Sequence, residues 1–184
     1  MKCVLLAGGL GTRLSEETNL IPKPMIEIGG KPILWHIMKH FSVYGITEFV
    51  ICAGYKSNII KDYFLNYKAN NSSLHINLES NEVVFEDSAN EQWKVSIIDT
   101  GLETNTGGRL KLIERHIEED HFLMTYGDGV GNVNIDELIK FHLSHKKLVT
   151  LTATIPEGRF GAINIENDKV VSIKEKLDTA NKFI

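Results

Sequence analysis

Short apolar runs alternate with amphipathic helical patterns along the first two-thirds of this 184-residue chain, and this alternation constrains its fold. Strands separated by helices are joined by crossover connections, which give a mostly parallel sheet with helices on both faces. We therefore predict an α/β fold of three layers, with a mostly parallel mixed sheet. The predicted strands are 2–6, 47–52, 121–126, 148–155, 160–165 and 169–173, with short alternating segments over 74–85 and 93–98. The predicted helices are 32–44, 57–66, 109–117 and 134–145.

The first predicted strand leads directly into a glycine-rich segment that is suited to surround a phosphate. Gly8–Gly11 follows the apolar run Val4–Leu6, Arg13 adds a positive charge, and Pro22-Lys23-Pro24 follows after a short interval. Glycine lets the backbone approach a ligand closely, and N–H groups at such a turn bind anions. The two prolines restrict the backbone around Lys23. The segment predicts a phosphate-binding loop, and the alternative is a glycine-rich surface turn.

Two well-known phosphate loops do not fit this segment. No Gly-Lys-Ser/Thr sequence follows Gly11, which excludes a Walker A loop. Leu14 stands where the dinucleotide fingerprint requires its third glycine, which disfavours a dinucleotide-dependent oxidoreductase.

Composition and charge limit the class of ligand. The chain has 20 Lys and Arg against 24 Asp and Glu, so its net charge is −4. It therefore lacks the basic excess of a nucleic-acid or membrane-surface binder. Cys3 and Cys52 lie in predicted strands, where we expect reduced, buried thiols. Local cationic residues on a chain of negative net charge suit a small anionic ligand. Since no signal-peptide pattern follows Met1, we also expect a cytoplasmic protein.

The glycine-rich loop and the Pro-Lys-Pro segment together resemble the signature of the sugar-1-phosphate nucleotidyltransferases. Leu6–Leu14 and Pro22–Pro24 carry this resemblance, which extends to about residue 176. Further segments narrow it to the glucose-1-phosphate cytidylyltransferase branch. They are Ser15–Thr18, Gly29–Met38, Asp99–Gly101, Thr106–Lys111, Thr125–Gly129 and Arg159–Gly161. The resemblance implies the Rossmann-like fold of the nucleotide-diphospho-sugar transferases.

The resemblance also implies a reaction and a set of site residues. The reaction is the transfer of a cytidylyl group from CTP to glucose 1-phosphate, with Mg²⁺ as cofactor, which gives CDP-glucose and pyrophosphate. Arg13 and Lys23 would be catalytic, with Arg13 at the β- and γ-phosphates and Lys23 near the α-phosphate. The implied nucleotide-binding residues are Leu6, Ala7, Gly8, Gly9, Leu10, Gly11, Thr12, Arg13, Lys23, Thr104, Arg109 and Gly127. A homo-oligomer and a role in nucleotide-sugar and O-antigen biosynthesis are also implied.

Asp128 is the candidate Mg²⁺ ligand. It follows the predicted strand 121–126 and lies between Gly127 and Gly129, so its carboxylate is presented at a strand end with little bulk around it. Mg²⁺ prefers oxygen ligands and is usually held by one or two carboxylates together with substrate phosphates. The alternative is a Gly-Asp-Gly turn without a metal.

Three further residues match positions that contact the base and the sugar phosphate in the family. Thr104 and Arg109 lie where the family reads the base, and we expect Arg109 to face the base or its phosphates. The alternative is an arginine that opens helix 109–117 and is solvated. Lys176 matches the sugar-phosphate lysine, although Leu177 stands where the family has proline.

The family continues past the Glu-Lys pair at 175–176 with more sheet, part of the sugar pocket and a second acidic metal ligand. We therefore expect a single domain over 1–184 that lacks the C-terminal part of the family domain. Two other functions stay open: a nucleotide-binding remnant or regulatory module without turnover, and a sister uridylyl- or thymidylyltransferase.

Overall fold

The computed structural model describes residues 1–9, 21–86, 91–154 and 162–174. The chain divides into two compact units, Met1–Asn132 and Val133–Ile184. That residues 1–184 form one domain stays a prediction.

The first unit contains eight strands and four α-helices among the described residues. The strands are β1 (Cys3–Ala7), β2 (Glu27–Ile28), β3 (Lys31–Pro32), β4 (Glu48–Ala53), β5 (Ser73–Asn77), β6 (Glu82–Glu86), β7 (Lys94–Asp99) and β8 (Leu123–Tyr126). The helices are α1 (Ile33–Val43), α2 (Ser57–Leu65), α3 (Tyr67–Asn70) and α4 (Thr106–Ile113), with 3₁₀ turns at Lys23–Met25 and Glu114–His116.

A parallel four-stranded sheet in the order β7-β4-β1-β8 organises this unit. In the register of the sheet, Cys3 of β1 lies opposite Phe49 of β4 and Leu123 of β8. Strand β1 is buried along its whole length, as expected for a parallel strand covered on both faces. Because the four strands run in the same direction, their carboxyl ends meet at one edge. The pairs β2–β3 and β5–β6 form separate antiparallel ribbons.

Helices cover both faces of the parallel sheet. On one face Val4 and Leu6 form a buried cluster with Val50, Cys52 and Ile113, the last residue of α4. On the other face, Phe49 contacts Trp93 with ring centroids 5.6 Å apart. Trp93 in turn lies 6.0 Å from Trp35 of α1. Side chains alternate between the faces of a strand, so α1 and α4 lie on opposite sides, which confirms the predicted α/β architecture.

Helix α4 differs from its prediction in a way that matters for the site. The sequence predicts a helix over 109–117, whereas α4 begins at Thr106 and ends at Ile113. Asn105 caps it, because its Oδ1 accepts the N–H of Gly108 at 2.9 Å. Arg109 is therefore one turn inside the helix.

The second unit is described over 133–154 and 162–174. Helix α5 (Ile135–His145) is capped by Asn134, whose Oδ1 accepts the N–H of Glu137 at 3.1 Å. Strands β9 (Ala162–Glu166) and β10 (Lys169–Lys174) pair in antiparallel fashion. Residues 148–154 form no strand, which corrects the prediction over 148–155 for its described part, because no described strand pairs with this run. None of the described helices has the length and apolar character needed to cross a membrane.

Both cysteines are expected to be unreactive in the native protein. Cys3 and Cys52 are fully buried. Burial raises the pKa of the Cys52 thiol from 9.0 to about 11, although the positive charge of Arg109 lowers it in part. At pH 8 we expect an aromatic disulfide reagent to label neither thiol until denaturant is added, when it should label both. Rapid labelling of native protein would contradict the buried assignment.

The same pKa shift predicts how stability depends on pH at the alkaline end. The unfolded chain loses the Cys52 proton at a lower pH than the folded chain does. The contribution of this thiol to the free energy of unfolding is therefore complete below pH 9 and declines as the pH rises toward 11.

Candidate active site

Four strand ends meet at the carboxyl edge of the parallel sheet and bring together the residues expected to bind a nucleotide. Gly8 follows β1, Gly54 follows β4, Thr100 follows β7 and Gly127 follows β8. The N–H of Gly127 donates to the carbonyl of Leu6 at 2.9 Å, which joins the ends of β1 and β8. Ligands of open α/β sheets bind beyond this edge. The expectation that Gly8 and Gly127 lie at one edge is confirmed.

Lys23 and Asp128 form an ion pair at this edge. The Nζ of Lys23 lies 2.8 Å from Oδ2 of Asp128, although the two residues are 105 positions apart in the chain. Their side chains are 28% and 35% exposed, so both stay accessible to a ligand from solvent. The structure thus places side by side a cation that can bind a phosphate and a carboxylate that can bind Mg²⁺.

Buried prolines and a glycine position Lys23. Pro22 and Pro24 are buried on either side of it, and Lys23 opens a 3₁₀ turn in which the N–H of Met25 donates to the carbonyl of Pro22 at 2.8 Å. A Cβ atom on Gly127 would lie 3.2 Å from the carbonyl oxygen of Leu6 and 3.4 Å from Cγ of Pro24. A side chain at Gly127 would therefore contact the end of β1 tightly and would touch Pro24, which follows Lys23.

Arg109 is buried beneath the start of the glycine-rich segment. The residue is only 5% exposed and lies under Gly8. Its two Nη atoms donate to five protein acceptors. From Nη1 these are the Thr100 hydroxyl at 2.6 Å and the carbonyls of Gly101 at 2.8 Å and Ala53 at 3.3 Å; from Nη2 they are the carbonyls of Gly8 at 3.0 Å and Leu102 at 3.3 Å.

The physical reason for this placement is the helix face on which Arg109 lies. Arg109 precedes Ile113 by four residues, so both lie on the face of α4 that packs against the buried cluster of β1 and β4. The alternative of a solvated arginine is wrong. Direct contact of Arg109 with a nucleotide stays a prediction, and the contacts that the structure shows hold together the ends of β1, β4 and β7.

Thr104 lies in the loop between β7 and α4. A Cβ atom on Gly101 would lie 3.0 Å from Oγ1 of Thr104, and one on Gly108 would lie 2.8 Å from its Cγ2. Gly101 has φ +84°, a conformation that favours glycine. Thr104 thus lies close to two glycines and is half-buried.

Asp128 offers one carboxylate, which fits Mg²⁺ but not a metal ion that protein side chains coordinate completely. Over residues 1–9, 21–86, 91–154 and 162–174, no three His, Cys, Asp or Glu side chains lie close enough together to hold a metal ion. Mg²⁺ does not need such a cluster, because one carboxylate, waters and substrate phosphates commonly complete its octahedral shell. Asp128 can supply that one carboxylate.

The other predicted site residues divide into two groups. Leu6, Ala7, Gly8 and Gly9 lie at the end of β1 or directly after it. Leu10, Gly11, Thr12, Arg13 and Lys176 lie outside the described residues. Thr100 and Gly54 were not predicted as site residues. A threonine directly after an apolar strand was the available signal for Thr100.

The chain is similar in sequence to known nucleotidyltransferases. The sequence model of the nucleotidyl transferase family matches residues 2–182. Glucose-1-phosphate cytidylyltransferase of Salmonella typhi is 53% identical over 177 residues, which cover 96% of this chain and 69% of that protein. A probable glucose-1-phosphate cytidylyltransferase of Bacillus subtilis is 43% identical over 176 residues, with the same coverage. This chain therefore spans about 69% of the length of these relatives.

A solved structure shows the same fold. The crystal structure of HddC from Yersinia pseudotuberculosis, complexed with GMP-PN, superposes with a TM-score of 0.73 at 26% sequence identity. The match covers 100% of this chain and 72% of that one. Together with the loop at the end of β1 and the Lys23–Asp128 pair, these similarities establish that the chain belongs to the nucleotidyl transferase family.

Proposed function

We propose that this protein transfers a cytidylyl group from CTP to glucose 1-phosphate, which gives CDP-glucose and pyrophosphate. The observation that carries the proposal is the 53% identity over 177 residues to a glucose-1-phosphate cytidylyltransferase. The Lys23–Asp128 pair supports it, because nucleotidyl transfer needs cationic and metal-binding groups at the triphosphate.

The reaction needs no side-chain nucleophile. A phosphate oxygen of glucose 1-phosphate forms a bond to the α-phosphorus of CTP, and the bond from that phosphorus to the bridging oxygen breaks, so pyrophosphate leaves. A phosphate monoester with a second pKa of about 6 is largely dianionic at neutral pH, so a general base is not required. The protein contributes in-line positioning and stabilisation of charge.

Each charged residue has a proposed place in this step. Lys23 lies near the α-phosphate and stabilises charge there, and Arg13 binds the β- and γ-phosphates. Asp128 would hold Mg²⁺, which supplies neutralisation of triphosphate charge when it is bound. Lys176 contacts the sugar phosphate. The exposure of Lys23 and Asp128 supports their part of the proposal.

Base selection is proposed for the loop that holds Thr104. Cytosine presents an amino donor beside ring and carbonyl acceptors. Groups that pair with this pattern are left unpaired by uracil, and an unpaired buried polar group costs about 1–3 kcal/mol. The close approach of Thr104 to Gly101 and Gly108, just beyond the carboxyl end of β7, supports this location.

A cytoplasmic location, a homo-oligomeric state and a role in nucleotide-sugar and O-antigen biosynthesis are part of the same proposal. The two free buried thiols support a reducing compartment. The homo-oligomeric state and the biosynthetic role rest on the family resemblance. Sedimentation of the purified chain tests the oligomeric state.

The test is pyrophosphate release with glucose 1-phosphate, Mg²⁺ and each of CTP, UTP, dTTP, ATP and GTP in turn. We expect release with CTP to exceed release with the others by at least tenfold. Equal release with UTP or dTTP would assign a sister specificity. Thermal stabilisation by CTP without release would assign a binding module without turnover.

A further inference from the structure

Thr100 is a buried polar residue at the carboxyl end of β7 whose hydroxyl is fully engaged. Its side chain is 1% exposed. The Oγ1 atom donates to the carbonyl of Ala53 at 2.7 Å and accepts from Nη1 of Arg109 at 2.6 Å. The backbone N–H of Thr100 also donates to Ala53, at 2.9 Å. The hydroxyl therefore has one orientation, and it presents a lone pair to the guanidinium.

The guanidinium that Thr100 orients reaches the first residue of the phosphate-binding loop. Nη2 of Arg109 donates to the carbonyl of Gly8 at 3.0 Å, and the N–H of Tyr55 donates to the same oxygen at 3.2 Å. On its other side the guanidinium holds the carbonyls of Gly101 and Leu102, in the loop that precedes α4. One side chain thus ties the phosphate-binding loop to the loop that holds Thr104.

The backbone approaches the guanidinium closely at two glycines. A Cβ atom on Gly8 would lie 2.0 Å from Nη1 and 2.4 Å from Cζ of Arg109. A Cβ atom on Gly54 would lie 2.9 Å from Nη1 of Arg109 and 2.7 Å from the carbonyl oxygen of Gly8. The guanidinium is therefore packed directly against the backbone where the phosphate-binding loop begins.

We propose that Thr100 is a positioning residue for the triphosphate: it orients Arg109, which in turn fixes the backbone of Gly8 where the phosphate-binding loop begins. The proposal rests on the proposed function, since it assumes that this loop binds a nucleoside triphosphate. Thr100 itself does not touch the substrate. Its removal should weaken nucleotide binding while the sugar-phosphate side is unaffected.

The test compares Thr100→Val with Thr100→Ser. Valine keeps the branched shape and removes the hydroxyl, whereas serine keeps the hydroxyl and removes only a methyl group. We expect Thr100→Val to raise the Kd and the KM for CTP roughly tenfold, a size typical of a lost hydrogen bond to a charged group. The KM for glucose 1-phosphate and kcat should change by less than about threefold, and Thr100→Ser should bind CTP within about twofold of the unmodified protein.

A matched control separates positioning from general loss of stability. Ile46 is buried just before β4, at the opposite edge of the sheet from the site. Ile46→Val removes one buried methylene and should lower the melting temperature without changing the Kd for CTP. If Thr100→Val does not yield folded protein, Thr100→Cys replaces it, because a thiol is only a weak hydrogen-bond acceptor.

The outcomes distinguish this proposal from the proposed function. Unchanged CTP binding by Thr100→Val, or equal weakening by Thr100→Ser or Ile46→Val, would overturn the role of Thr100 and leave the transferase proposal intact. If the unmodified chain binds CTP but releases no pyrophosphate, the proposed function fails, and the Kd values alone decide the role of Thr100. A chain that binds no nucleoside triphosphate would overturn both.

Discussion

Asp128→Asn is expected to abolish transferase turnover while leaving the protein folded. The substitution keeps the size of the side chain and removes the charge that would hold Mg²⁺. Because charge stabilisation by a metal is worth several kcal/mol, we expect kcat to fall about a thousandfold. The lost ion pair with Lys23 is partly exposed, and such pairs contribute about 0–1 kcal/mol, so the melting temperature should change little. Pyrophosphate release and a thermal melt measure the two effects.

The same variant offers a readout that does not depend on turnover. In metal-free buffer the carboxylate of Asp128 repels a triphosphate and occupies Lys23 at 2.8 Å. Asp128→Asn should therefore bind CTP more tightly than the unmodified chain when Mg²⁺ is absent, and calorimetry measures this. Asp62 is an exposed carboxylate on α2, so Asp62→Asn is the control. It should change neither Mg²⁺-dependent turnover nor the affinity for CTP without Mg²⁺. Retained Mg²⁺-dependent turnover in Asp128→Asn would exclude the ligand role.

Arg109→Met is expected to have the largest effect on stability among single substitutions near the site. Methionine fills much of the same volume but removes the guanidinium bonds to the buried carbonyls of Gly8 and Ala53, which keep only their bonds from Tyr55 and Thr100. Since hydrogen bonds to charged groups contribute about 1.5–3 kcal/mol each, and other donors partly satisfy these carbonyls, we expect a loss of about 3 kcal/mol. For a chain of this length that corresponds to a fall of roughly 6–12 °C in melting temperature.

Arg115→Met is the matched control for this prediction. Arg115 lies just beyond α4 and is exposed, so its substitution should change the free energy of unfolding by less than about 0.5 kcal/mol. For Arg109→Lys we expect a loss of stability between those of Arg109→Met and Arg115→Met. An ammonium group keeps the charge but lacks the planar guanidinium that reaches acceptors at three strand ends. Equal melting temperatures for Arg109→Met and Arg115→Met would show that the carbonyls do not depend on the guanidinium.

The general architecture and one edge of the site could be predicted from the sequence. Alternating strand and helix patterns are local properties, so they predicted β1, β4 and β8 within two residues at either end and an alternating segment over 93–98 where β7 lies. Once a parallel sheet was expected, the glycines that follow β1 and β8 had to lie at the same edge. That inference needed no side-chain contact.

The surroundings of Arg109 could not be predicted, because they depend on a helix boundary and on distant contacts. Gly107 and Gly108 have poor helix propensity, so the pattern indicated a start at 109, and the cap from Asn105 that offsets them was not recognised. Thr100 lies nine residues from Arg109 and its other partner, Ala53, is 47 residues away, so only the folded sheet brings the three together. The ion pair of Lys23 with Asp128 depends on tertiary structure in the same way.

The shared contacts of Arg109 have a consequence for how this family can acquire new base preferences. If the loop at 101–104 selects the base, as we propose, its carbonyls and the carbonyl of Gly8 bind the same guanidinium. Substitutions in that loop are then expected to change triphosphate affinity along with base choice, and their effects should not add to those of substitutions in the glycine-rich loop. Libraries that randomise the two loops together should then reach specificities that stepwise selection on either loop alone misses.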